Sequence, residues 1–212
     1  MKNKQIKYAK LLGAVVGILS FVALIVGITY ALYIWTSDNI NITGESSCFT
    51  INNTKGDNIS LGLNTKGIIL FDESNIINNG KITIKDGMAL TNFTASIDGG
   101  CNTKGRLIAT MTINNLSQGF QNTGSLKYAL VKYDPNTYPT VNINNLLGQS
   151  FDIIENNSIT STDPITLLED ALSTTEKGYM IIFYIDGDLA DNTIGDATFN
   201  GTITTTAIQG SN

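Results

Sequence analysis

Tyr179-Met-Ile-Ile-Phe-Tyr-Ile185 is apolar or aromatic at every position and runs directly into Asp186-Gly187. A run of this length, closed by a turn signal, predicts a strand covered on both faces. Working outward, Leu126–Tyr133 (LKYALVKY) has the same character, and both runs predict central strands of a sheet. Period-two alternation marks the half-buried partners. Ile82 and Ile84 stand between Lys81, Thr83 and Lys85; Phe93, Ala95 and Ile97 alternate with Thr94 and Ser96; Leu107, Ala109, Met111 and Ile113 share one face. Phe199–Ile208 (FNGTITTTAI) alternates again, with Thr at the outward positions, and predicts a closing strand.

Turn signals separate these runs. Asn79-Gly80, Asp86-Gly87, Asp98-Gly99-Gly100 and Asp186-Gly187 are places where the chain adopts positive φ at little cost. A single short helix is predicted from Asp163, an N-cap, with Pro164 at the first helical position and Ile165, Leu168 and Leu172 on one face. Many strands, regular turns and one short helix predict an all-β, antiparallel two-sheet sandwich, jelly-roll or Ig-like.

A different signal precedes this domain. No charged residue occurs between Lys10 and Asp38, and LLGAVVGILSFVALIVGITYALYIW is long enough to cross a bilayer as a helix. Lys2, Lys4, Lys7 and Lys10 stand before it with no acidic residue, so the positive-inside rule keeps the N-terminus in the cytoplasm and sends the rest across. Residues 1–31 are thus expected to be a signal sequence or a transmembrane anchor. Thr29 and Ala31 supply the small residues that a signal peptidase reads, which places cleavage after Ala31; the hydrophobic length of Leu11–Ile28 favours a retained span instead. Residues 32–47 follow as a connecting segment or donor strand, and 48–212 as the extracellular domain.

The part beyond residue 31 holds all 18 acidic residues but only nine of the 13 basic ones, a formal charge of −9. With no Lys/Arg cluster after Lys10, nucleic-acid binding is not expected. Its two cysteines, Cys48 and Cys101, would lie in an oxidising compartment, so a disulfide is expected. The chain has no histidine, which removes the commonest general base and the usual catalytic pairs and zinc sites. No P-loop or dinucleotide fingerprint is present. The adjacent acids Asp72/Glu73 and Glu169/Asp170 read as solvated pairs, and no enzyme activity is expected. One loop, with Asp186, Asp188, Asp191 and Asn192, concentrates the hard oxygen donors that calcium takes, although it lacks the EF-hand spacing; the other reading is a polar loop leaving a strand.

The Lys-rich start, the apolar run ending in GITYALYIWTSDN, the β-rich exported part and the closing GTITTTAIQ together resemble the TasA/camelysin-type surface proteins of Gram-positive bacteria. The likeness covers the signal region and the last strand. It implies an exported jelly-roll subunit at the cell surface, with assembly into biofilm matrix fibres as a further expectation and no catalytic residues to carry over. The alternative expectation is a membrane-tethered binding module for calcium or a small ligand. If cleavage follows Ala31, the exposed apolar stretch Leu32–Trp35 is free to pair as an added strand on a second copy of the chain.

Overall fold

The computed structural model describes residues 34–35, 42–43, 48–54, 59–60, 69–195 and 197–210. The expected signal or membrane segment 1–31, its cleavage point Ala31 and most of the segment 32–47 lie outside these residues. Among the described residues no helix is long and apolar enough to cross a membrane.

In chain order the strands are β1 (Ile34–Trp35), β2 (Ile42–Thr43), β3 (Phe49–Thr54), β4 (Ile59–Ser60), β5 (Ile77–Asn78), β6 (Lys81–Thr83), β7 (Ala89–Ile97) and β8 (Lys104–Leu116). They continue as β9 (Leu126–Tyr133), β10 (Ser150–Ser158), β11 (Ile165–Ala171), β12 (Lys177–Ile185) and β13 (Phe199–Gly210). Among the described residues three short helices, α1 (Glu73–Ile76), α2 (Gln118–Thr123) and α3 (Ile143–Leu146), lie in the connections. A larger sheet has the order β3-β7-β12-β9-β10-β6-β5, a smaller one β11-β8-β13-β2, and β1 pairs with β4. The pairings are antiparallel except the short one between β13 and β2. The chain is therefore mostly β, with two antiparallel sheets and few helices.

The predicted central strand is central. β12 pairs with β7 on one side and β9 on the other, and Tyr179 through Ile185 are all buried. Its two faces meet different partners. Tyr179, Ile181, Phe183 and Ile185 join Leu107, Ala109, Met111 and Ile203 of the smaller sheet in one core. Met180, Ile182 and Tyr184 face a second core, closed by Ile82 of β6, Phe151 of β10, and Phe71, Ile76, Ile84, Val141 and Leu146 from the connections around α1 and α3. The apolar character of both faces thus has two separate causes.

The alternating strands behave as their patterns require. Leu107, Ala109, Met111 and Ile113 of β8 point inward, as do Phe199, Ile203 and Thr205 of β13. Asn79 and Gly80 take φ of 51° and 74° and turn β5 into β6, the double positive-φ geometry that Asn-Gly supplies cheaply. β10 pairs through Ser150–Asp152 with β6 on one edge and from Ile153 onward with β9 on the other, with a register shift between Ile153 and Glu155.

The helix expected from Asp163 is a correction. Ile165–Ala171 is β11, antiparallel to β8, with a register shift between Thr166 and Leu168. That bulge adds one residue to the apolar period, so Ile165, Leu168 and Leu172 fall at helix-like spacing although the backbone is extended. A helix this short is marginal by local propensity, and the long edge of β8 offers a ladder of main-chain bonds that outweighs it. The α-helices among the described residues are four to six residues long, too short to leave a periodic signature.

Candidate functional site

Cys48 immediately precedes β3, and Cys101 follows the Asp98-Gly99-Gly100 turn that leaves β7. The Asp98 amide donates to the Cys48 carbonyl at 2.9 Å and the Cys101 amide to the Asp98 carbonyl at 2.9 Å. Thr50 Oγ1 donates to Asp98 Oδ1 at 2.7 Å, holding the turn against β3. This scaffold brings the two sulfurs to 2.16 Å with Cα atoms 5.7 Å apart, disulfide distance.

At the far end of β12 a charged group sits in the second core. Lys127, second residue of β9, lies opposite Tyr184 in register and is only 13% exposed along its side chain. Its Nζ is 2.8 Å from Glu73 Oε2 and 2.9 Å from Asp186 Oδ2, and the Asp186 side chain is 4% exposed. Glu73 Oε1 accepts from Tyr184 Oη at 2.6 Å and from Asn156 Nδ2 at 2.7 Å. Asp186 Oδ1 accepts from the Asp188 amide at 3.0 Å. Burial pushes the Glu73 carboxyl up, but hydrogen bonds from Lys127, Tyr184 and Asn156 more than offset it and hold it below its usual value. Burial likewise pushes the Lys127 ammonium down, and its two carboxylate partners outweigh that and raise it. The Tyr184 hydroxyl is pushed up by burial and by the adjacent Glu73 carboxylate.

A second group stands at the start of β12 and faces the shared core. Asp170 Oδ2 of β11 lies 3.0 Å from Lys177 Nζ and 3.3 Å from Lys132 Nζ and accepts a hydrogen bond from the Tyr179 hydroxyl. Lys132 also lies over the Tyr179 ring, 5.5 Å from its centroid. These contacts tie β11 of the smaller sheet to β9 and β12 of the larger. Burial pushes the Asp170 carboxyl up, but Tyr179, Lys177 and Lys132 together bring it down to about 2 from 3.8. A carboxyl lowered on folding stabilises the domain above its ordinary pKa, and that stability is lost as pH falls from about 4 through about 2. Asp170→Asn is therefore expected to cost up to about 2 kcal/mol at neutral pH and to flatten the acid limb of stability; urea melts across that range check it.

The residues singled out for calcium occupy the loop after β12. Asp186 is engaged by Lys127 and by the Asp188 amide. Asp188 is exposed, and Asp191 accepts from the Thr193 amide at 2.8 Å, capping a single 3-10 turn that Asn192 opens. Among the described residues no three Asp, Glu, Cys or His side chains gather in a way that could hold a metal ion. The adjacent acids divide between roles. Asp72 caps α1 and Glu169 meets Arg106 at an exposed site, whereas Glu73 and Asp170 are drawn into the two partly buried groups. Lys127 was not singled out from sequence, although a lone cation inside the apolar run LKYALV is a legible signal that it needs a partner.

No family model matches this chain, and neither a curated protein nor a solved structure matches it.

Proposed function

We propose that this chain is an exported cell-surface protein with a structural or adhesive, non-enzymatic role, built as an antiparallel β-sandwich of the jelly-roll or Ig-like kind. The observation that carries this reading is the Cys48–Cys101 pair at disulfide distance, because such bridges persist in oxidising compartments. The Lys-rich start and uncharged apolar run ahead of the domain supply the means of export. A core drawn from both sheets supports the sandwich.

Assembly with further copies follows from the segment after Ala31. Among the described residues β1 pairs with β4 over two residues, Ile34 with Ser60 and Trp35 with Ile59, so little of this pairing is given up if the segment joins a neighbouring sheet. Donation of this kind is head-to-tail and builds a filament instead of a closed dimer. The test compares chains beginning at Leu32 and at Ser37 by sedimentation and electron microscopy. Polymers are expected from the first and monomers from the second. Monomers from both would overturn strand donation and leave a tethered binding module as the better reading.

A further inference from the structure

The group at the end of β12 has more chemistry than an ion pair needs. We propose that Lys127 and Asp186 condense into an intramolecular amide, with Glu73 as the catalytic proton acceptor.

Placement comes first. β9 and β12 are paired through Ile185 and Leu126, and the Asp186 amide donates to the Ser125 carbonyl at 2.8 Å, so amine and carboxyl are carried on main chain that cannot drift apart. Holding the two groups in contact replaces an encounter in water by a step within one molecule. Each remaining requirement has its own residue. Glu73 Oε2, 2.8 Å from Nζ, takes a proton and frees the amine lone pair. Tyr184 and Asn156 hold the other oxygen of Glu73 and so aim the carboxylate at the lysine. The Asp188 amide on Asp186 Oδ1 donates where negative charge develops as Nζ attacks Cγ. Oδ2, the oxygen facing Lys127, is the one that departs.

The balance closes without a further reactant. The Nζ–Cγ bond forms and the Cγ–Oδ2 bond breaks. Two protons of the ammonium pass through Glu73 to Oδ2 and leave with it as water, so nothing is oxidised or reduced. Burial of the pair, with the Lys127 side chain 13% and the Asp186 side chain 4% exposed, keeps bulk water from reversing the step.

The Asp170 group shows what is missing where no such bond is expected. Lys132 and Lys177 meet the same carboxylate oxygen, neither has an ion pair with a second carboxylate among the described residues, and Lys132 is 48% exposed. By register the Cys48–Cys101 pair lies toward the Lys177 end of β12, so an amide at Asp186 would bind the opposite end of the larger sheet.

The proposal does not rest on export, since the reaction needs no oxidant; a chain made in a reducing cytoplasm serves. The full chain is purified, reduced and denatured, weighed intact against the mass expected from its determined N-terminus, then digested and sequenced by fragmentation. The expected result is a mass short by one water and a branched peptide joining Lys127 to Asp186. Lys127→Arg keeps the cation and Glu73→Gln keeps the hydrogen-bonding shape; both should recover the full mass while circular dichroism shows the same β fold. Wild-type protein at full mass overturns the proposal. So does a water loss that survives Lys127→Arg, which would mark a succinimide at Asp186-Gly187, and a branch ending at Glu73 overturns the choice of Asp186.

Discussion

Phe183→Ala is expected to lower the unfolding free energy by about 3–5 kcal/mol, the largest effect of a single substitution considered for this domain. Phe183 has no exposed surface, lies between the two sheets and meets the Phe199 ring with centroids 6.0 Å apart. Truncation loses the transfer free energy of the ring and leaves a cavity that strands on both sides are too constrained to fill. Ile182→Ala, one residue earlier, should cost about 2–5 kcal/mol by emptying the other core. The two side chains belong to different clusters but are neighbours on one strand, so the double variant should depart from additivity by about 0.5 kcal/mol or more. Urea unfolding of the three variants checks both statements. A loss under about 1 kcal/mol at Phe183 would contradict its placement between the sheets.

Cys48→Ser with Cys101→Ser is expected to cost up to about 4 kcal/mol, from the chain-entropy model applied to cysteines 53 residues apart. For a domain of this size that corresponds to a drop in Tm of roughly 8–16 °C. The structural consequence should be local as well. Among the described residues β3 lies at the edge of the larger sheet and pairs there with β7 alone, so without the bridge its order rests on that ladder. Amide exchange in Phe49–Thr54 should therefore rise more than in β12. Equal melting of the variant and the oxidised parent would show that the bridge does not constrain the unfolded chain.

β8 and β13 could be read directly from their residues because burial imposes a period on side chains that alternate across a pleated strand, and β12 because burial on both faces leaves no polar position in Tyr179–Ile185. The cysteine pairing was legible for a different reason, the presence of two thiols and no third. The Asp163 helix was misread because a bulge disguises a strand as a helical period, and a bulge depends on which neighbour the strand meets. Glu73, Lys127, Asn156 and Asp186 come from four separate stretches of chain, and none has a local motif. Their approach requires the β9–β12 register, the register shift in β10 and the capped turn of α1.

Local pattern was thus sufficient for the strand-rich character, the centrality of Tyr179–Ile185 and the turn at Asn79-Gly80, since each depends on the side chains and backbone freedom of adjacent residues. Long-range pairing settled the rest: the assignment of strands to two sheets, the second core over the outer face of β12, and the two charged groups at its ends. Those features depend on which distant segment occupies a given edge or face. That choice is made by the total burial and hydrogen bonding of the folded chain, which no short window of residues contains.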